Sequence, residues 1–376
     1  MKKTPLINVF NAGELGYDMD ARSDVKKYYE GCRVLEGMIP IVEGPAQRMP
    51  GTYYMASVKG TITTFFFITL HALIELEDFL KVNAYVPSPL RTTFTSICTD
   101  GVYLYHSAGG TPKGYIEKFD LATRSYVGEI QGNSNTSSHL DSCAIDTVNG
   151  YAYFCNYGSA SISTIYKVRL SDFSVVAALT LSTGYAVSIA LDIANDFGYI
   201  ANSTVSPNKI TKIRLSTLTE ISTLSMGVSG ASCGYSALID ANYAYFPIMS
   251  SPGKIVRLKL SDFSIDSVLS LGSGENQINI MVKDSTYIYC GTYQSPAKIV
   301  RVLISTFARV GAITLSSPEN LARGATIMGT NAYFGTFSTI ARIVKVDLPT
   351  FTRVEVVNLT GYTSTPSGAV SPFPYS

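Results

Sequence analysis

Residues 243–263 read Tyr-Ala-Tyr-Phe-Pro-Ile-Met-Ser-Ser-Pro-Gly-Lys-Ile-Val-Arg-Leu-Lys-Leu-Ser-Asp-Phe, and this stretch decides the fold because it recurs along the chain. The apolar residue before Ser-Asp-Phe has equivalents separated by 49, 45, 45, 44 and 44 residues. Those equivalents are Leu121, Leu170, Leu215, Leu260, Ile304 and Leu348. A fixed period in this range indicates a repeat architecture.

Each copy contains four short runs of residues that favour β-strands. In the second copy these runs lie at 143–146, 151–155, 164–170 and 174–181. Tyr, Phe, Val and Ile alternate along them, and turn residues such as Asn149-Gly150 separate them, which is the pattern of antiparallel hairpins. Four antiparallel strands in about 45 residues describe one blade of a β-propeller.

A partial copy precedes the six complete ones. Leu76-Glu77-Asp78-Phe79 matches Leu170-Ser171-Asp172-Phe173, and strands are predicted at 62–69, 71–76 and 79–85. No first strand precedes them, whereas the C-terminal segment holds Gly368-Ala369-Val370-Ser371 where other copies have a first strand. Pairing the two ends would close the ring and remove open sheet edges.

We therefore expect an all-β fold, a seven-bladed β-propeller with four-stranded antiparallel blades, and six blades as the alternative. The propeller is predicted over residues 59–376, and residues 1–58 form a separate N-terminal arm. Blade one would combine 60–86 with 366–373, and six repeats would follow over 92–359.

A basic residue three positions before the recurring leucine raises the question of polyanion binding. Six cations around one axis could form a binding ring. Alternatively, each stem lies along a neighbouring blade with its charged head in water, and we favour this interpretation. The residues are Lys118, Lys167, Lys212, Arg257, Arg301 and Lys345.

The sequence contains no catalytic motif that we can identify, so no enzyme activity and no catalytic, cofactor or metal residues are predicted. The three histidines, His71, His106 and His139, lie in separate motifs without metal-ligand spacing. Aspartates such as Asp146 and Asp240 recur at the ends of first strands, as does Asp192. One aspartate per blade favours a turn cap over a calcium site, which needs several converging oxygens.

Net charge and composition argue against nucleic acid and anionic membranes as partners. The net charge is +1 and charged residues make up 15 % of the chain, so there is no strong field toward nucleic acid or anionic membranes. The apolar run 65–76 is too short to span a bilayer and is predicted as strands. Met1-Lys2-Lys3 precedes a polar stretch, so no signal peptide is expected.

The six cysteines are scattered without a Cys-x-x-Cys pair. They are predicted to be small buried apolar residues, with Cys155 and Cys290 in different blades. The others are Cys32, Cys98, Cys143 and Cys233.

Residues 1–58 share nothing with the repeat. A short helix is predicted over 24–35, with Tyr28, Cys32 and Leu35 on one face. An ordered string of short motifs runs through the segment: Phe10-Asn11-Ala12-Gly13-Glu14-Leu15, Arg22-Ser23-Asp24, Lys27-Tyr28, Gly31-Cys32, Leu35-Glu36, Ile39-Pro40, and Gly44-Pro45-Ala46-Gln47-Arg48-Met49-Pro50-Gly51-Thr52.

This string resembles the amino terminus of the tail nozzle, or tail tubular, proteins of short-tailed bacteriophages. The resemblance implies a structural virion protein, made in the host cytoplasm, that forms a ring with copies of itself and contacts a tail adaptor or other tail proteins, with DNA passing through. It also implies assembly contacts at Phe10, Glu14, Arg22, Asp24, Tyr28, Arg33 and Arg48.

A second hypothesis is a propeller that recognises a host glycan or protein for attachment. The chain has 25 tyrosines, whose flat amphipathic rings suit such recognition. An N-terminal arm that only packs on the propeller is the remaining interpretation of residues 1–58.

Overall fold

A computed structural model of the 376-residue chain describes most of the repeat region and the backbone of six short strands before it. The chain divides into two compact units, residues 1–62 and 63–376. The described strands before the repeats are 9–11, 38–39, 45–48, 65–68, 72–75 and 82–84, and the described residues after them are 94–108, 114–123, 125–132, 139–157, 163–182, 184–203, 207–228, 231–338 and 340–359.

The first unit contains a three-stranded antiparallel sheet. Pro45–Arg48 is its central strand and pairs with Val9–Asn11 on one side and Met38–Ile39 on the other. Phe10 lies opposite Ala46 in this register. The predicted helix over 24–35 lies outside the described residues.

Six four-stranded antiparallel sheets follow, one for each complete copy of the repeat. We number these blades 1 to 6, and their strands first to fourth in chain order. The strands are, in blade 1, Phe94–Thr99, Tyr103–Ala108, Tyr115–Asp120 and Ser125–Gln131; in blade 2, His139–Asp146, Tyr151–Tyr157, Thr164–Arg169 and Ser174–Thr180; in blade 3, Tyr185–Asp192, Phe197–Ser203, Lys209–Arg214 and Thr219–Ser225; in blade 4, Leu238–Ile239, Tyr243–Ile248, Lys254–Lys259 and Ser264–Ser270; in blade 5, Ile278–Lys283, Tyr287–Thr292, Lys298–Leu303 and Ala308–Thr314; and in blade 6, Ala322–Met328, Asn331–Thr336, Ala341–Asp347 and Thr352–Leu359.

The prediction of an all-β propeller is confirmed, but the prediction of seven blades is wrong. The described part of the chain contains six complete blades. The predicted extra blade is a three-stranded sheet of Phe65–Ile68, Ala72–Glu75 and Val82–Ala84, in which the described strands pair only with one another. These three strands match only three of a blade's four positions, and the segment proposed as the missing strand, 366–373, lies outside the described residues.

The first strands are innermost and the fourth strands outermost. The first strands of all six blades border one cavity, and neighbouring first strands contact each other. Along fourth strands such as Ser264–Ser270, exposed and half-buried residues alternate, as expected for a sheet edge with one face in water. Within the described residues, the one helical element is a 3-10 turn at Ile193–Asn195.

Adjacent blades are joined through the residues that define the repeat. Each second strand places a fully buried tyrosine at the same position, and most of these rings pack on an aromatic residue of the following blade. The tyrosines are Tyr105, Tyr153, Tyr199, Tyr245, Tyr289 and Tyr333. Between blades 4 and 5, Tyr245 lies 5.9 Å from Phe307, and the guanidinium of Arg257 lies 4.3 Å from the Phe307 ring centroid.

The residue at the position of the phenylalanine in Ser-Asp-Phe adopts a left-handed backbone conformation in the turn between the third and fourth strands. Its φ is 53° at Phe263 and 49° at Phe307, and Leu218 takes the same conformation with φ of 50°. This region is costly for a large side chain. Burial of the side chain against the preceding blade offsets that cost, since Phe307 is 7 % exposed.

The basic residues of the third strands serve the same inter-blade contact. The Nζ of Lys118 lies 3.8 Å from the Tyr103 ring centroid and donates to the Leu170 carbonyl of the next blade at 3.4 Å. Lys167 donates to the Leu215 carbonyl at 2.8 Å. Their structural role agrees with the favoured interpretation, but the prediction that the heads lie in water is wrong for these two residues, because both are 6 % exposed.

Blade 4 departs from the repeat because of Pro247. Its first strand is only Leu238–Ile239, preceded by an isolated bridge between Cys233 and Ile248. The Pro247 carbonyl accepts from the Gly234 N–H at 2.8 Å, so the missing N–H of this proline faces the first strand. A proline removes one ladder hydrogen bond, which explains the interrupted pairing.

Candidate binding face

The two ends of the propeller differ in how closely the blades repeat. One end, which we call the turn face, carries the turns between first and second strands and between third and fourth strands. In three blades the first of these turns is held by an aspartate, namely Asp100, Asp240 and Asp284, that accepts from backbone N–H groups and from a buried tyrosine.

The prediction that recurrent aspartates cap turns is confirmed. Asp240 accepts from the Tyr243 N–H at 2.8 Å and from the Tyr245 hydroxyl at 2.6 Å. Asp146 accepts from the N–H of Asn149 at 2.9 Å. The following Gly150 has φ of 76°, a conformation that glycine adopts without strain. These recurrent aspartates therefore have a structural role in the turns.

The opposite end, which we call the loop face, carries the connections between second and third strands and between successive blades. Two of its inter-blade connections, 271–277 and 315–321, are each held by an ion pair between a buried carboxylate and a partly exposed arginine. The Arg309 Nε donates to Glu275 at 2.7 Å, and the Arg353 Nε donates to Glu319 at 2.9 Å. Each carboxylate also accepts from a backbone N–H at the start of its own loop.

In each ion pair the carboxylate receives hydrogen bonds from the arginine and from the backbone of its own loop. Both carboxylates are buried, with Glu275 and Glu319 each 3 % exposed. Burial raises the pKa of Glu275, but hydrogen bonds from Arg309 and the Gly272 N–H outweigh it, and the pKa lies below its ordinary value. Buried charges held by several hydrogen bonds define one loop conformation.

The channel mouth is formed where the first strands begin at the loop face. Five first strands contain a β-bulge near their start, with Thr95 and Val187 as the extra residues in blades 1 and 3. In the other three the extra residue is charged or an amide: Asp141 in blade 2, Asn279 in blade 5 and Arg323 in blade 6. We use the term channel mouth for these three residues. Bulges redirect side chains out of the alternating pattern, and here the bulge is a feature of the repeat.

Asp141 is buried without compensation from the described residues. It is 8 % exposed, and within the described chain no side-chain or backbone group donates a hydrogen bond to it. Burial raises the pKa of the Asp141 carboxyl to about 6, and the positive charge of Arg323 opposes this rise. A buried carboxylate that lacks donors destabilises the fold.

The other two residues of the channel mouth also have unused hydrogen-bonding capacity within the described chain. Asn279 is 1 % exposed; its amide donates to the Ala322 carbonyl at 3.1 Å, while its Oδ1 has no partner. The Nε of Arg323 is likewise buried without a partner. The guanidinium of Arg323 lies 5.2 Å from the Phe337 ring centroid and 5.8 Å from that of Tyr293.

A cavity of about 310 Å³ lies further along the first strands, toward the turn face. Its lining includes Ser142 and Ala325, which follow the bulges, and is mostly apolar, with residues such as Ile189 and Ile280. Lys283 also borders it, and burial lowers the pKa of this lysine despite the nearby carboxylates of Asp240 and Asp284.

The five cysteines within the described residues are free thiols. Cys155 and Cys290 lie in blades 2 and 5, as predicted, and both are fully buried. Burial raises the pKa of Cys233 to about 12, so it is a thiol at neutral pH. Cys143 is an exception to the burial prediction, because it is half-buried and borders the cavity.

The histidine that the structure describes with its side chain is internal to blade 1. The Nε2 of His106 lies 3.1 Å from the Glu117 Oε2, and its ring packs 5.2 Å from Phe119. The His106–Glu117 pair is buried within the sheet, so we interpret its role as structural.

The structure describes the backbone of two of the seven predicted assembly residues. Phe10 lies in the strand Val9–Asn11 and Arg48 in Pro45–Arg48, so the same sheet contains both backbones. The other five, Glu14, Arg22, Asp24, Tyr28 and Arg33, lie outside the described residues.

Sequence reasoning did not identify the channel mouth. Its only sequence signal is a charged or amide residue at the start of a run that otherwise reads as a buried strand. Asp141 precedes Ser-Cys-Ala-Ile, and Arg323 precedes Gly-Ala-Thr-Ile.

The described residues contain no group of three or more metal-ligating side chains that could hold an ion. In the same part of the chain, no helix has the length and apolar character needed to cross a membrane.

Comparison with known proteins identifies the fold alone. No family model matches the chain. No curated protein matches it. Many solved structures share the fold; one is that of U3-55K, with a TM-score of 0.58 and 11 % sequence identity, covering 75 % of this chain and 85 % of that one. No similarity to tail nozzle proteins is shown, and the chain is an all-β propeller of four-stranded antiparallel blades.

Proposed function

We propose that the chain is a structural virion protein of a bacteriophage tail, a nozzle-like ring component without enzymatic activity. The observation that carries this proposal is the ordered string of motifs between Phe10 and Thr52, which resembles the tail nozzle family. In this proposal residues 1–58 contact copies of the same chain and a tail adaptor, and the propeller is displayed on the particle.

The propeller suits a component that must keep its shape during assembly. Its blades are joined by buried aromatic and cationic contacts, such as Arg257 with Phe307 and Lys167 with the Leu215 carbonyl. Contacts of this kind add to the apolar burial between blades. The displayed body is therefore a rigid scaffold for its loops.

Assembly can be tested with the full chain and single charge reversals. We expect the native protein, purified with its tail partners or imaged in particles, to form a rotationally symmetric ring. Arg22→Glu and Arg48→Glu should reduce incorporation at least tenfold, measured by quantitative mass spectrometry of purified particles. Lys259→Glu is the control, because Lys259 is an exposed residue of the turn face. A native protein that stays monomeric and is absent from particles would refute the proposal.

A second candidate function, recognition of a host glycan or protein, is favoured by the loop face. Asn279 and Arg323 each have a buried polar atom there without a partner among the described residues, and the charge of Arg323 acts on the buried carboxyl of Asp141. Binding of the purified full chain to host cells tests it. Arg22→Glu and Arg48→Glu should leave this binding unchanged, so the two functions can be separated.

A further inference from the structure

We infer that Cys98 and Cys143 are a redox-active pair, which a peroxide oxidises to a disulfide that links blade 1 to blade 2. Both residues are free thiols in this structure. The inference does not depend on either proposed function. It assigns a modification site to two cysteines for which the sequence predicts burial alone.

The place of the two cysteines in the repeat makes them face one another. Cys98 is the first-strand residue opposite the buried Tyr105, and Cys143 stands one position earlier in the first strand of blade 2. Between blades 4 and 5, the same two positions hold Leu238 and Met281, which belong to one core cluster. The first position of a blade therefore packs on the second position of the following blade.

Blades 1 and 2 are the one neighbouring pair among the described blades with a cysteine at both positions. At the other four interfaces between consecutive described blades, the two positions hold apolar residues that share a core cluster. These pairs are Ala144 and Ile189, Ala190 and Ala237, Leu238 and Met281, and Val282 and Ala325. The cysteine pair thus departs from the repeat at a position where the repeat brings two side chains together.

The two sulfur atoms are in contact. The thiol of Cys98 is hydrogen-bonded to that of Cys143. Cys143 also packs against the core cluster that contains Cys98, and the first strands of blades 1 and 2 contact each other. A disulfide requires neighbouring backbones and side chains that point toward one another. Both requirements are met at this interface.

A small oxidant has access to the pair from the central cavity. Cys98 and Cys143 both border this cavity of about 310 Å³, and the other three described cysteines do not. Cys143 is half-buried, whereas Cys98 is 3 % exposed. Burial, followed by the hydrogen bond with Cys143, raises the pKa of the Cys98 thiol. Because the reactive form is an accessible thiolate, Cys143 is the residue that reacts first.

The chemistry takes place in two steps. The Cys143 thiolate attacks one oxygen of the peroxide, the O–O bond breaks, and the hydroxide that leaves takes up the thiol proton as water. The Cys98 sulfur then attacks the sulfur of the Cys143 sulfenic acid, the S–O bond breaks, and a second water leaves with the Cys98 proton. Two electrons pass from the sulfurs to the peroxide, so two thiols and one hydrogen peroxide give one disulfide and two waters.

The experiment is treatment of the folded full chain with hydrogen peroxide, followed by alkylation and peptide mass spectrometry. We expect a peptide pair linked through Cys98 and Cys143 that dithiothreitol separates. The link should form at least about tenfold faster than Cys155 or Cys290 is oxidised, because those thiols are fully buried. It should also raise Tm by about 5 °C, since a cross-link restricts the unfolded chain.

Single alanine variants separate the roles of the two thiols. In Cys98→Ala, Cys143 should stop at the sulfenic acid, which dimedone labels, and no link should form. In Cys143→Ala, oxidation at Cys98 should be slowed at least about tenfold. Cys290→Ala is the matched control, because this buried cysteine lies in blade 5, and it should form the link at the native rate. Circular dichroism confirms that each variant is folded.

Three results would overturn the inference. The first is that both cysteines are alkylated as free thiols after peroxide treatment of the folded chain. The second is that the link forms only in urea, or that Cys32 is the partner of either residue. The third is that Cys98 is oxidised at the native rate in Cys143→Ala.

Discussion

At the scale of single residues, the same side-chain type has opposite consequences in different places. Asp240 caps a turn with three hydrogen bonds, and Asp262 is exposed and accepts from Ser264. Asp141 has no donor among the described residues and is buried. Only the last of these costs stability, because burial disfavours the ionised form of Asp141.

Asp141→Asn should stabilise the protein at high pH. Because burial raises the folded-state pKa from 3.8 to about 6, folding favours the protonated acid. The native protein therefore loses stability as pH rises from about 4 to about 6, by about 3 kcal/mol, and the loss persists above pH 6. Asparagine does not ionise, so urea unfolding should show a larger gain for the variant at pH 8 than at pH 4.

The control for this prediction is Asp262→Asn. Hydrogen bonds from Ser264 and Lys259 hold the pKa of Asp262 below its ordinary value, so its replacement should give no gain at pH 8. An Asp141→Asn effect that is equal at both pH values would contradict the assigned burial cost.

Phe307→Ala should destabilise the protein by about 3 kcal/mol, because it removes a buried ring from the contact between blades 4 and 5. Val310→Ala, a change at a residue that is 44 % exposed in the same blade, should alter stability by less than about 0.5 kcal/mol. Chemical unfolding measures both, and similar losses for the two variants would refute the inter-blade role of Phe307.

At the scale of elements, the loop face owes its order to two similar loops. Glu275 and Glu319 occupy equivalent places in loops that precede blades 5 and 6, and each binds an arginine of the fourth strand in the same blade. Because the same ion pair recurs in both loops, we infer that it determines the conformation of each loop. Blade 4, in contrast, departs from the repeat. Pro247 interrupts the pairing of its first strand.

Glu319→Gln should destabilise the protein by about 2 kcal/mol, since the amide keeps the shape of the side chain but leaves Arg353 without its buried counter-charge. Arg169→Gln is the matched control, because the Arg169–Asp172 pair is exposed and its loss should change stability far less. Thermal unfolding compares them, and an equal loss would show that burial of the pair is unimportant.

At the scale of the whole molecule, each blade contacts chiefly its neighbours. Phe173 packs on Tyr105 between blades 1 and 2, whereas Phe307 packs on Tyr245 between blades 4 and 5. Perturbations at these two interfaces share no partner. Effects of distant sites without shared partners usually add.

The double variant Phe173→Ala/Phe307→Ala should therefore lose the sum of the two single losses, within about 0.5 kcal/mol. Urea unfolding of the two single variants and the double variant provides the cycle. A coupling above about 1 kcal/mol would show that strain passes around the ring between distant blades.

The sequence by itself determined the strands, the turns and the blade as a unit. Residues 243–263 repeat at a nearly constant spacing, and local chemistry such as Asn149-Gly150 and the Asp240 cap acts within a few residues. Strand alternation and turn propensity are local properties, so a linear pattern can reveal them.

Only the tertiary structure decided the number of complete blades and the composition of the channel mouth. Asp141 and Arg323 lie in blades 2 and 6 and come together because the first strands surround one axis. No spacing within the chain encodes that meeting, because it depends on how many blades share the axis. The burial of the lysine ammonium groups was also not predictable from the sequence. Lys167 is buried because the next blade supplies a carbonyl 2.8 Å away.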